Sequence, residues 1–272
     1  MPGTKADMDF PFPLPPGALS SELAFALDVC LKAGAVAMSH FDRNIEVEEK
    51  SDGSPVTAAD KQCERLIRES IADKFPKDAI LGEEEGGDDA PLSKGRRWII
   101  DPIDGTYNYA RAVPIFSILL SLEKDGEIVL GVVYNPAMSE IFWAEKGSGA
   151  FRNGKKIHVS QISEMKNSQF NFGALNRVKA LGLWDGFSEL ISKTVRQRGF
   201  GDYLGFAHVF EGKAEAHLEV GVKAWDLAPM KIIVEEAGGQ FSDLSGGQSV
   251  YTGSCLISNG LVHSQFLGIL KR

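Results

Sequence analysis

The chain has little cysteine, a shortage of basic charge and no long apolar run. Cys30, Cys63 and Cys255 are its three cysteines. An odd number at wide spacing fits reduced, buried thiols of a cytoplasmic protein better than a disulfide framework or a zinc site. Lys and Arg total 29 against 37 Asp and Glu, for a formal net charge of -8. A general binder of nucleic acid or of membrane surfaces needs the opposite balance. No stretch reaches the roughly 18 consecutive apolar residues of a membrane span. The N-terminus carries no basic segment followed by an apolar core, so no secretory signal is expected. No internal repeat is found, so the lone Trp225-Asp226 pair is not a propeller signature. No Ser or Cys stands in a nucleophile elbow or beside an evident His base, which argues against covalent catalysis. The five histidines, His40, His158, His208, His217 and His263, are scattered and form no metal-ligand pattern.

What is there is a globular chain. Its 272 residues, 43% of them hydrophobic, allow a large core in one compact unit or in two tightly packed halves. Residues 1–17, with five prolines, read as an extended, poorly ordered leader. A helical stripe runs from Ser20 to about Phe41, followed by a half-buried strand at Ile45 and Val47. Thr57 looks like an N-cap for a helix over Ala58 to Lys74, and Asp60 in its first turn has the position of a capping-box carboxylate. Ala79 to Gly82 is a short strand leading into Glu83, Glu84 and Glu85; the first of these can point inward while the others face water. Phe116 to Glu123, Glu127 to Tyr134 and Glu140 to Ala144 read as antiparallel strands, the first two joined at Asp125-Gly126. Gly147 to Gly154 reads as another hairpin. A boundary near Ser160 divides an α+β half over 18–160 from an α/β half over 161–272. The second half holds strands at Phe170 to Phe172, Ala214 to Glu219 and Cys255 to Ser258. Helices are expected at Trp184 to Val195, Tyr203 to Phe210, Leu227 to Ala237 and Leu261 to Leu270.

One stretch organises the rest: Trp98-Ile99-Ile100-Asp101-Pro102-Ile103-Asp104-Gly105-Thr106. An apolar strand ends in a carboxylate, where open α/β sheets place their ligands. A second carboxylate follows three positions on, and the two repel unless a cation lies between them or one keeps its proton. Gly105 and Thr106 can open a helix whose amides face an anion. Carboxylates for a hard cation beside amides for an anion suggest metal-assisted phosphate chemistry. An Asp-Pro turn with an Asp cap is the plain alternative. Asp226, ahead of the helix from Leu227, is open to the same double reading, N-cap or metal ligand.

Together, Pro55-Val56-Thr57-Ala58-Ala59-Asp60, Gly82-Glu83-Glu84, Asp101 to Thr106 and Trp225-Asp226 with its Glu-Ala-Gly-Gly helix end resemble the inositol monophosphatase family, from about Ser20 onward. The resemblance implies a layered α-β-α-β-α sugar-phosphatase fold, Mg2+ dependence, lithium sensitivity and a homodimer. It implies that Glu83, Asp101, Asp104, Asp226 and the Ile103 carbonyl hold two or three Mg2+. It further implies that Asp60 and Thr106 activate water with help from Glu83, and that the Gly105 and Thr106 amides bind phosphate beside Asp104. Glu219 would meet the non-phosphate part of the substrate.

Family members act on inositol phosphates, histidinol phosphate, bisphosphorylated nucleotides or fructose bisphosphate. Arg198-Gly199-Phe200-Gly201-Asp202-Tyr203 resembles the histidinol-phosphate phosphatase branch, where Arg198 and Asp202 would reach substrate; an Arg198–Asp202 ion pair at a helix start explains the block equally well. The substrate expected first is therefore histidinol phosphate, as part of histidine biosynthesis, with inositol 1-phosphate as runner-up. A catalytically silent metal-binding regulator would not need Asp60 and Thr106. A calcium sensor would need an EF-hand loop that is missing. Tyr107 departs from the Thr or Lys usual after Asp-Gly-Thr, without an evident consequence.

Overall fold

The computed structural model describes residues 11–13, 19–41, 45–51 and 53–271. Helix α1 (Ser21–His40) starts where the Ser20 side chain accepts the Leu23 amide at 3.0 Å. A two-stranded hairpin, β1 (Val47–Glu49) with β2 (Pro55–Thr57), leads into α2 (Ala58–Lys74). The next run holds β3 (Ala79–Gly82), β4 (Arg96–Asp104), the one-turn α3 (Thr106–Tyr109), β5 (Ser117–Lys124), β6 (Glu127–Asn135), β7 (Glu140–Glu145), β8 (Gly149–Arg152) and β9 (Lys155–Ile157). These strands form one seven-stranded sheet in chain order, antiparallel except for the β3–β4 pair. The remainder holds β10 (Gln169–Phe172), α4 (Leu175–Ala180), α5 (Trp184–Lys193), β11 (Arg196–Arg198), α6 (Asp202–Phe210), β12 (Ala216–Val220), α7 (Ala224–Glu236), β13 (Gln240–Ser242), β14 (Ser254–Ser258) and α8 (His263–Leu270). Its five strands form a second sheet in the order β11-β10-β12-β14-β13.

Side chains alternate between the two faces of the first sheet, and because both faces are covered β4 and β5 are buried almost throughout. From β4 and β5, Trp98, Ile100, Ile118 and Leu120 pack under α1 and α2, whereas Ile99 and Leu119 pack against α6 and α7. That middle helical layer also receives Phe241, Cys255 and Ile257 from the second sheet. The outer face of the second sheet is closed by α5 and α8 through Phe170, Phe187, Leu218 and Phe266. The layers are thus helix, sheet, helix, sheet, helix, as expected. Helix α1 is long and apolar enough to cross a membrane by length and composition alone. Its Ala26, Leu27, Cys30, Ala33 and Ala37 are instead core residues. All three cysteines are free and buried. Most of the proline-rich leader lies outside the described residues, but Phe12 packs half-buried against the core between α1, α2 and the first sheet.

Several boundaries differ from expectation. Strand β4 does not end at Ile100; it continues through Pro102 to Asp104. The segment after Gly147 makes two turns, joining β7 to β8 and β8 to β9, instead of one hairpin. Helix α5 stops at Lys193, and the next residues form edge strand β11, whose short polar Arg-Gln-Arg sequence carries no apolar alternation. Helix α7 begins at Ala224, three residues before Leu227.

Candidate active site

The site is built around the irregularity in β4. Its register with β5 slips between Asp101 and Asp104. Pro102 has no N–H for the ladder, so pairing cannot run on unbroken there. Asp101 Oδ1 accepts the Ile103 amide at 3.0 Å. Asp226 arrives from the first turn of α7, where its Oδ2 accepts the Lys223 amide at 2.6 Å. It is thus the third helical residue, not the N-cap. Carboxylate oxygens of Asp101, Asp104 and Asp226 lie within 4.8 Å of one another. Burial raises the Asp101 carboxyl well above the ordinary range, with further push from Glu83, Asp226 and Asp104. Burial does the same to Asp104, aided by Asp202 and Asp226. Asp226 is pushed up to about 7, by burial first. Hard oxygen donors whose charges are buried against one another fit a divalent cation, which offsets both costs.

Glu83 follows β3, its amide donating to Ile100 O at 3.2 Å. Its carboxylate accepts Lys50 Nζ at 2.8 Å, and the same ammonium reaches Glu84 Oε1 at 2.7 Å. Glu84 therefore also turns inward, with a side chain only 6% exposed, where the sequence reading left it in water. Burial opposes the Lys50 charge, but its two carboxylate partners outweigh that and hold its pKa above the usual lysine range. The turn that presents Glu83 is held from below by Glu64, which is fully buried. Glu64 accepts the amides of Glu84 (2.7 Å) and Glu85 (2.9 Å) and the Nε of Arg68 (2.8 Å).

Asp60 has both of the roles weighed for it, one on each oxygen. Oδ2 accepts Thr57 N (2.8 Å) and Thr57 Oγ1 (2.5 Å), completing the capping box. Oδ1 faces Thr106 Oγ1 at 3.2 Å, and that hydroxyl also lies 3.0 Å from Ile103 O. Burial raises Asp60 to about 6, with Glu83 adding to the shift and the hydrogen bonds from Thr57 and Thr106 opposing it. Asp60 lies behind Thr106, which lines the cleft. The cleft has a volume of about 610 Å3 and is also lined by Lys50, Glu83, Gly105 and Asp226.

Beside the triad, the cleft is also lined by Asp202, Glu219, Arg177 and Lys223. The Arg198–Asp202 ion pair is not formed. Arg198 is exposed on edge strand β11 and donates to Gln197 O at 2.7 Å. Asp202 instead accepts Asn108 Nδ2 at 2.7 Å, and the Tyr203 amide beside it donates to Asp104 Oδ2 at 2.9 Å. Burial and the Glu219 charge raise Asp202 to about 6, and Arg177 partly offsets this. Tyr107 is 60% exposed at the cleft, with the Arg111 guanidinium 4.3 Å from its ring centroid. Sequence reasoning missed Lys50, Glu64, Asn108 and Arg177. None stands in a recognisable motif, and only Lys50 carried a signal, as a lone cation near the turn at Ser51 to Pro55.

A carboxylate triad for a cation, a buried hydroxyl–carboxylate pair and a polar cleft between two sheets define a phosphoric monoester hydrolase when set beside the chain's relatives. Residues 18–271 match the model of the inositol monophosphatase family. The chain is 39% identical to a histidinol-phosphatase of Chlorobaculum parvum, over 88% of this chain and 92% of the relative. It is 35% identical to a fructose-1,6-bisphosphatase/inositol-1-monophosphatase of Thermotoga maritima, over 92% and 95%. The structure of an inositol monophosphatase from Anabaena superposes with a TM-score of 0.81 at 33% identity, covering 92% of this chain and 95% of that one. The chain belongs to the inositol monophosphatase family.

Proposed function

We propose that the chain is a Mg2+-dependent phosphatase that converts histidinol phosphate to histidinol and phosphate. The observation that carries the substrate assignment is the second pair of carboxylates, Asp202 and Glu219, in the cleft beside the triad. Burial first and the Glu219 charge second raise Asp202, and a cation bound there offsets both. Histidinol phosphate brings an ammonium group and an imidazole that can be protonated, whereas inositol 1-phosphate brings only hydroxyls. Charge-assisted hydrogen bonds are the stronger kind, so the pair favours the former. The histidinol-phosphatase name of the Chlorobaculum parvum relative supports the same reading.

Glu83, Asp101, Asp104, Asp226 and the Ile103 carbonyl would hold two or three Mg2+. Bound there, the ions supply Lewis acidity to the phosphoryl group and lower the pKa of water. Thr106 Oγ1 orients the attacking water and passes its proton toward Asp60, the carboxylate whose Oδ1 faces that hydroxyl at 3.2 Å. Glu83 assists in orienting the water. The amides of Gly105 and Thr106 hold phosphate oxygens, and Lys50 adds positive charge to the cleft beside Glu83. Asp202 and Glu219 receive the cationic part of the substrate. Inhibition by Li+ and a cytoplasmic location belong to the same reading. So does a homodimer, for which Leu181, Trp184 and Val195 offer exposed apolar surface.

Phosphate release from histidinol phosphate, inositol 1-phosphate, adenosine bisphosphate and fructose bisphosphate, each with Mg2+, tests the proposal. The highest kcat/KM is expected for histidinol phosphate. An equal or higher value for inositol 1-phosphate reverses the assignment.

A further inference from the structure

Strand β12 places His217 and Glu219 two positions apart, hence on one face of the second sheet. Both are withdrawn from solvent, His217 completely and Glu219 to 6% exposure, yet Glu219 lines the cleft. Neighbouring glycines make the room. A Cβ on Gly173 would lie 1.9 Å from Glu219 Oε1, and one on Gly205 would lie 2.4 Å from His217 Cε1. The Phe206 ring closes on the imidazole, with centroids 4.3 Å apart. The pair is therefore seated in a space that a side chain at either glycine would intrude on.

His217 Nε2 stands 3.2 Å from Glu219 Oε2. The separation suits a hydrogen bond, but the angle does not. Nδ1 and Nε2 of His217 and Oε2 of Glu219 are all buried without a hydrogen-bond partner in the protein. Asn171, in register with His217 on β10, does not supply one; its amide is directed to Gly205 O (3.3 Å) and His208 Nδ1 (3.4 Å). Leaving buried polar atoms unpaired is costly, and rotating the Glu219 carboxylate about its soft terminal torsion would pair two of the three. Hydrogen bonds in a ligand-free site are often misaligned in this way and tighten when the ligand arrives.

We propose that His217 is a positioning residue for substrate recognition. It donates Nε2–H to Glu219 from behind as the substrate's cationic group meets the same carboxylate from the cleft. Two donors then fix the orientation of Glu219, and binding of the cation and closure of the His217 bond favour each other. The inference rests on the reading of Glu219 as a contact for that cation. It concerns affinity for the distal part of the substrate, not the reaction at phosphorus, because His217 reaches neither the triad nor Thr106.

The experiment uses the full chain with Mg2+. His217→Phe keeps a flat ring of similar size without a donor, and His217→Gln keeps a donor. His217→Phe is expected to raise KM for histidinol phosphate about tenfold, with a much smaller change in kcat or in KM for p-nitrophenyl phosphate. His217→Gln is expected to recover most of the loss, and His217→Phe to cost little more in a Glu219→Gln background. Equal KM changes for both substrates, no rescue by glutamine, or additive effects would overturn the proposal. A direct readout covers a phenylalanine variant that does not fold. In the unsubstituted protein the His217 imidazole nitrogen resonances are expected to move on addition of histidinol, and not to move in Glu219→Gln. Resonances indifferent to histidinol would refute the coupling. If the unsubstituted enzyme prefers inositol 1-phosphate, it is the substrate reading that falls.

Discussion

Replacing Asp60 with asparagine should stabilise the metal-free protein at neutral pH while nearly abolishing turnover. Asp60 is 1% exposed, and burial raises its carboxyl from 3.8 to about 6. A carboxyl raised in the folded state costs stability where it must ionise. The cost is absent below 3.8, grows as pH rises through the window, and is complete above about 6, where it amounts to about 3 kcal/mol. Asparagine carries no such cost, and the local bonds survive the exchange. The amide oxygen can accept Thr57 N and Thr57 Oγ1 in place of Oδ2. The amide nitrogen can donate to Thr106 Oγ1, whose own proton then turns to Ile103 O, already at 3.0 Å. Asp60→Asn should therefore unfold about 2–3 kcal/mol less readily than the parent near neutrality in chelator, and about equally at pH values near 4. The same reversal of the Thr106 hydroxyl leaves no acceptor for a proton, so kcat should fall by about 10²–10⁴. Added Mg2+ should shrink the stability gain, since Glu83 is among the charges that raise Asp60. Urea unfolding of both proteins at the two pH values measures the difference. A variant no more stable than the parent near neutrality, or a difference that does not change with pH, would refute the reasoning.

Asp226→Asn should weaken Mg2+ binding by about 10–100-fold in calorimetry, because it removes one charge from the triad. Thr106→Ala should leave Mg2+ affinity within about twofold while kcat falls about a hundredfold or more; normal turnover would mean that another group activates water. Glu64→Gln should weaken Mg2+ binding about tenfold although Glu64 does not line the cleft, since it holds the amides that shape the turn at Glu83; unchanged binding would show that the turn holds itself.

Much of the protein was legible without coordinates because the deciding chemistry is local. Thr57 and Asp60 form a capping box within one helical turn. Trp98 to Ile100 reads as buried strand because apolar residues covered on both faces need no alternation. Asp101, Pro102, Asp104 and Thr106 lie so close in sequence that few backbone paths separate them. Even so, short polar β11 and the continuation of β4 through a proline escaped notice, since propensity says nothing about a bulged or edge strand.

The tertiary structure decided which distant groups meet. Lys50 reaches Glu83 and Glu84 across 33 and 34 positions, and Asn108 reaches Asp202 across 94. Arg198, only four positions from Asp202, faces solvent instead, because edge strand β11 turns it outward and the chain then enters α6 with Asp202 at φ 51°. His217 and Glu219 are plain strand residues by sequence. Their significance comes from the space left at Gly173, just after β10, and at Gly205 in α6. Sequence by itself determines caps, strand ends and the identity of the carboxylates, all matters of a few neighbouring residues. Which cation, amide or imidazole faces each carboxylate depends on sheet register and layer packing, set by burial across the whole chain.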